Sequence, residues 1–195
     1  MKKRALLAVL TLLAGTSVFA QKTKTISAGD ITENTTWFSD TVYTLDGYVY
    51  VKNNATLTIQ PGTLIKGNAA TKATLIITRN GSINANGTAN APIVFTSSKP
   101  KGQRATGDWG GIVILGKAPI NRPDVTTGPS VAVAAAEPGN QVAIEGDLDN
   151  TNGDGLYGGT DANHNSGILR YVRLEFGGVV ITTGNEINGL TMGGV

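Results

Sequence analysis

The sequence has no cysteine, one histidine, two tryptophans and two methionines among its 195 residues. Without cysteine, neither a disulfide nor a thiolate metal site can hold the fold, so stability has to come from backbone ladders and aliphatic packing. A single histidine and no thiol also exclude a multi-histidine zinc site. Charge is sparse as well, with 16 basic and 14 acidic residues. Three of the basic residues, Lys2, Lys3 and Arg4, lie in residues 1–20, which leaves 13 basic against 14 acidic in the remainder. That balance lacks the cationic excess a nucleic-acid partner requires. No GxGxxG run leads from a strand into a helix and no GxSxG is present, so nucleotide binding has no support and no motif flags a nucleophile.

Residues 1–20 are the one long apolar run. A basic head precedes Ala5 to Ala14, and Val18 and Ala20 occupy the positions that suit a signal peptidase. The segment is too short and wrongly flanked for a retained span and reads as a secretory signal. The expectation is a mature chain from near Gln21, secreted or held at the outer cell surface, with no transmembrane segment after cleavage. No cysteine follows the apolar run to carry a lipid.

What is abundant is glycine, 26 residues, in a pattern of short alternating apolar stretches. Ala55 to Gly67 (ATLTIQPGTLIKG) and Ala73 to Gly87 (ATLIITRNGSINANG) read almost as copies. Ala55, Leu57, Ile59 and Ile65 recur as Ala73, Leu75, Ile77 and Ile83, with Gly62 and Gly81 at the turns. Side chains alternate across a strand, so Leu57 and Ile59 share one face while Thr58 and Gln60 share the other. A unit this thin cannot bury its own apolar face and has to stack on a neighbour. The repeat predicts an all-β solenoid, a right-handed parallel β-helix, with Leu75 stacked on Leu57 and Ile77 on Ile59. A β-sandwich with two similar hairpins is the competing architecture, but hairpins do not demand in-phase aliphatic ladders.

Along the mature chain, residues 21–46 read as an N-terminal cap in which Trp37, Phe38 and Tyr43 cover the open end of the solenoid. Tyr48 to Val51 begin the regular coils. Lys99, Lys101 and Arg104 form a basic stretch that reads as a solvated loop, with a polyanion patch as the alternative. Trp109 to Leu115 is a strand in which Gly110 and Gly111 permit close backbone approach beside the indole. Residues 121–166 read as an insertion into the solenoid, with the small apolar run Val131 to Ala136 inside it. Ile168 to Phe176 reads as one strand with Val172, Leu174 and Phe176 on one face.

The runs YTLDGYVYVKNNATLTIQPGTLIKG, DWGGIVILGKAPIN and YGGTDANHNSGILRYVRLEFGG resemble a family of exported Bacteroidota proteins, parallel β-helices often handled by the type IX secretion system. The resemblance covers about Ile26 to Val195 and implies a fold and an export route but no catalytic residues. Members of that family are typically longer, so the expectation is a β-helix that continues beyond Val195, making this chain a C-terminally incomplete fragment.

Chemistry concentrates in the insertion. From Glu137 to Asp161 there are six carboxylates and no Lys or Arg. Hard oxygen ligands at alternate positions in a glycine-rich loop suit Ca²⁺, which takes six to eight oxygens. Asp147, Asp149, Asp154 and Asp161 are the candidate ligands, and an EF-like register runs through Asn150, Asn152, Asp154, Gly155 and Asp161. Asn stands where the first Asp belongs and Asp where the bidentate Glu belongs, so a solvated acidic loop is the competing reading. His164, among Asn163, Asn165 and Ser166, reads as an exposed turn residue. Arg170, Arg173, Glu175 and Lys117 are the residues to inspect for a lyase-like site, although Arg173 and Glu175, two apart on one strand face, also fit a plain surface ion pair. The functional expectation is a structural or adhesive surface protein that binds glycan or another cell-surface component through the insertion, especially Gln141 to Ser166. A polysaccharide lyase with part of its catalytic set outside this chain is the alternative, and a passive stalk a third possibility.

Overall fold

The computed structural model describes residues 21–120 and 141–195, apart from Asp147 and Asp149. Among these residues every helix or strand element is a strand. In chain order they are β1 (Lys22–Ile31), β2 (Thr35–Trp37), β3 (Thr41–Val51), β4 (Thr56–Ile59), β5 (Leu64–Gly67), β6 (Thr74–Ile77), β7 (Ser82–Asn86), β8 (Ile93–Ser97) and β9 (Gly111–Leu115). After the insertion strands β10 (Val142–Ala143) and β11 (Leu156–Tyr157) come β12 (Gly167–Arg170), β13 (Val172–Leu174), β14 (Val179–Thr182), β15 (Asn185–Ile187) and β16 (Leu190–Gly193).

The strands wind into a parallel β-helix with three faces. The first half of β3 pairs with β5, then β8, then β13; its second half pairs with β6, then β9, then β16; and β2, β4, β7 and β12 form the third face. All of these pairings are parallel, and β1 runs along β3 across two faces as the outermost rung. Like residues therefore meet in columns inside the coil. Tyr43, Ile65, Phe95 and Leu174 form one, and Val51, Ile77, Ile114 and Met192 another. Each fully buried aliphatic side chain in such a column contributes about 1.5–3 kcal/mol relative to exposure.

The repeat marks the solenoid but not its period. Leu57 stacks on Ile83 and Ile59 on Ala85, whereas Leu75 lies between Val49 and Ile112. A coil with three strands and three corners needs more than 18 residues: the register offsets are 22 from Val42 to Leu64 and 26 from Leu57 to Ile83. The two look-alike stretches consequently sit on different faces, since β4 belongs to the third face and β6 to the second.

Corners account for the other departures. Ile168 to Phe176 is not one strand, because Tyr171 adopts φ 48° and turns the chain from the third face to the first. Asn53 and Asn54, at φ 58° and 63°, form the corner after β3, where Asn tolerates the left-handed region better than other residues with a Cβ. At Gly81 a Cβ would collide with the carbonyl of Val51, so the rung spacing itself demands glycine there.

A second apolar cluster lies outside the coil, against the second face. Ile76, Val113 and Leu115 point outward yet are buried under Leu148 of the insertion and Val179 and Ile187 of the β14–β15 hairpin. The apolar runs 75–77 of β6 and 112–115 of β9, in strands buried at every position, follow from this cover, because a strand covered on both sides loses the apolar–polar alternation. The expected cap residues divide: Trp37 and Tyr43 are buried and stacked with centroids 5.0 Å apart inside the first coils, while Phe38 is exposed. Val131 to Ala136 lies outside the described residues.

Candidate functional site

The outer surface of the first face carries a connected network of polar side chains. With Tyr43, Ile65, Phe95 and Leu174 pointing inward, the intervening residues point out. One outward column is Thr44, Lys66 and Thr96, continued by Glu175, whose N–H bonds the carbonyl of Phe95 at 2.9 Å. Beside it runs a column of Val42, Leu64, Val94 and Arg173. An apolar strip therefore lies alongside a polar ladder, with both repeating at the strand spacing of about 4.8 Å.

Glu175 is the hub. Its Oε1 takes the Nε of Arg173 at 2.8 Å, and its Oε2 accepts from the Thr96 hydroxyl at 2.9 Å. Thr96 Oγ1 in turn accepts from Arg104 Nη1 at 3.2 Å. Arg104 Nε is fixed on the carbonyl of Lys99 at 2.9 Å, and Lys99 bridges Asp108 at 2.6 Å. The basic stretch is thus folded back onto the face. Asp108 is buried, which pushes its carboxyl up, but hydrogen bonds from Lys99, Ser97 and the Ala105 N–H outweigh that and hold it at about 2. Behind the network Trp109 donates Nε1 to the Glu175 carbonyl at 2.8 Å and stacks on Phe95. The hub thereby rests on the core, and an Arg173–Glu175 pair that looks in isolation like a surface contact joins a chain of four side chains. Lys66, Arg104 and Arg173 face Glu175 alone among acidic groups of these two columns, so the surface is net positive.

Of the residues singled out from sequence, the structure gathers Arg173 and Glu175 here, with Lys99 and Arg104 of the basic stretch, but not Arg170, whose guanidinium lies 5.4 Å from the ring of Tyr171, nor Lys117, whose carbonyl accepts the Asp161 N–H. Lys66 and Thr96 carried no separate signal beyond alternation, since each sits between inward residues of its strand. Arg104 is recruited from a loop and could not be placed by periodicity.

The acidic insertion follows a different plan. Asp154 is 9% exposed, and its Oδ2 lies 2.8 Å from Lys52 Nζ and 2.9 Å from Asn150 Nδ2. Lys52 also bridges Asp30 at 2.9 Å, and Tyr50 donates its hydroxyl to the Leu148 carbonyl at 3.0 Å. These contacts clamp the insertion to the second face. Asp161 accepts the N–H of Asn163 at 3.0 Å and is half-exposed, while Asp147 and Asp149 lie outside the described residues. Among the described residues no group of three or more His, Asp or Glu is gathered at metal-ligating distance. His164 is not an exposed turn residue. Its side chain is 12% exposed, because the main chain at Gly116 leaves room for the ring: a Cβ there would lie 2.7 Å from His164 Cδ2.

A family model described as a pectate-lyase-like beta helix domain matches residues 29–195. No curated protein and no solved structure matches the chain.

Proposed function

Because this chain belongs to the pectate-lyase-like β-helix family, we propose that it is an exported, surface-displayed module that binds an acidic glycan along the outer surface of its first face. The observation that carries the reading is the Arg104–Thr96–Glu175–Arg173 network, set in register beside Lys66 and an apolar strip. Arginine pairs with carboxylates and sulfates through a planar fork, and aliphatic side chains pack against the apolar edges of sugar rings. A polymer lying along the solenoid axis spans Lys66 on one rung and Arg104 and Arg173 at the next two, so binding is shared over several weak contacts. Pre-fixing Arg104 and Arg173 lowers the entropy lost on binding.

A glycan array probed with the mature chain, with and without Ca²⁺, tests this. Binding should select uronate-containing and sulfated glycans, fall with ionic strength, and leave the sugars intact. Preference for neutral glycans, or no binding, would contradict the proposal. Release of unsaturated sugars would replace a binding module with a lyase. Binding that disappears on chelation would bring the Asp147, Asp149, Asp154 and Asp161 loop into the site as a Ca²⁺ centre.

A further inference from the structure

Four Asn–Gly pairs occur in the chain, beginning at Asn80, Asn86, Asn152 and Asn188. In such a pair the glycine nitrogen can reach the asparagine side-chain carbon, because no Cβ stands in its path. The glycine N–H must first leave its hydrogen bond, so the fold decides which pair reacts.

Three of the pairs are set into the rungs. Gly81 is buried, and a Cβ there would collide with the Val51 carbonyl. On either side of it the Asn80 carbonyl accepts the Asn54 N–H, and Ser82 donates its N–H to the Ala55 carbonyl at 3.0 Å. Gly87 is buried and donates its N–H to the Arg170 carbonyl at 2.8 Å. The Gly189 carbonyl accepts the Ile112 N–H at 3.0 Å. Moving any of these peptides means parting adjacent rungs. Asn152–Gly153 lies in the insertion, outside the coil, and Asn152 is exposed. The Gly153 N–H bonds the Asn150 carbonyl at 2.9 Å, and Asn150 Oδ1 accepts the N–H groups of Asn152 at 2.9 Å and Asp154 at 3.4 Å. Opening this turn breaks local contacts alone, and such openings are the frequent ones.

We propose that Asn152 is a site of spontaneous deamidation in the folded protein. The Gly153 nitrogen gives its proton to solvent base and attacks Asn152 Cγ. The Cγ–Nδ2 bond breaks, ammonia leaves with a proton from water, and a five-membered succinimide closes. Water then opens the ring: attack at the side-chain carbonyl gives aspartate, and attack at the main-chain carbonyl gives isoaspartate. In sum, asparagine and water become a carboxylic acid and ammonia. Either product places a new carboxylate two residues from Asp154, and isoaspartate also lengthens the turn by one main-chain carbon. That turn carries Asp154 to within 2.8 Å of Lys52 Nζ, so the insertion is held less firmly on the second face once Asn152 has reacted.

The test ages the full chain in neutral phosphate buffer, folded and in guanidinium chloride, and maps it by peptide mass spectrometry, with isoaspartate identified by enzymatic methyl transfer. The folded protein should gain one dalton at Asn152 at least ~10-fold faster than at Asn80, Asn86 or Asn188, and denaturant should abolish that preference. Asn152→Gln should fold normally and show no such gain in the same peptide. No reaction at Asn152 in the folded chain, a faster reaction at another pair, or the same order of rates in denaturant would overturn the assignment. Hydrogen exchange of the isoaspartate form, separated by ion exchange, should be faster in residues 141–157 than in the unreacted chain, with the coils unchanged. Identical exchange in the two forms would overturn the loosening.

Discussion

Trp109 links the core to the proposed binding face, and removing it should be among the costliest single changes in the chain. The indole is fully buried, lies 6.2 Å from the Phe95 ring at an interplanar angle of 8°, and donates Nε1 to the Glu175 carbonyl. Trp109→Ala loses the packing of a large aromatic, about 3–5 kcal/mol. Trp109→Phe keeps the stack but orphans the Glu175 carbonyl and leaves a small void, for about 2 kcal/mol. The neighbouring Gly67 sharpens the test, because a Cβ there would sit 2.5 Å from the indole Cδ2. Gly67→Ala alone should cost about 1–3 kcal/mol by overpacking. In the Trp109→Ala background the same methyl enters the vacated space, so the pair should couple favourably by about 1–2 kcal/mol. Urea unfolding of the four proteins, with m-values compared, measures the cycle. Strict additivity, or a Trp109→Phe change below about 0.5 kcal/mol, would refute the packing described.

Other consequences are as direct. Thr58 and Asn84 are outward register partners on adjacent rungs, so Thr58→Cys with Asn84→Cys should close a disulfide under mild oxidation in this cysteine-free chain. Thr58→Cys with Ile76→Cys, spaced by the sequence repeat, should stay reduced, as read by non-reducing mass spectrometry. Lys52→Met should leave Asp154 buried without its cation and speed hydrogen exchange in residues 141–157 while the coils stay protected. Asp108, held at about 2 in the folded chain against 3.8 ordinarily, supplies stability that is present above pH 4 and lost as pH falls through 2. With Lys99 half-exposed, this is worth about 1–2 kcal/mol, and Asp108→Asn should flatten acid unfolding curves over that window.

The solenoid was legible because apolar alternation and turn glycines are local, and stacking follows from any unit too thin to enclose its own core. The period was not. Two segments on different faces obey the same alternation, so Ala55 to Gly67 and Ala73 to Gly87 look alike although Leu57 meets Ile83 and not Leu75. The second apolar cluster had a readable signal in TLII and GIVIL, whose missing alternation marks strands covered on both sides. Asp154 shows the limit of acidic spacing as a guide, since its partner Lys52 lies 102 residues away. Arg104 was named only as part of a basic loop, and its contact with Thr96 was invisible for the same reason: the loop that brings one to the other closes only when the coil forms. Arg173 and Glu175 could be named from alternation alone, but their tie to the core through Trp109 could not.

The account rests on Arg104 and Arg173 as the anion-binding groups of the first face. Calorimetric titration of a uronic-acid hexasaccharide into the wild type and into the Arg104→Ala/Arg173→Ala double variant tests it most directly. The account predicts affinity at least ~10-fold weaker in the variant and a shallower dependence on salt, because two charge-assisted contacts are gone. Equal affinity and an equal salt slope in the two proteins would contradict it.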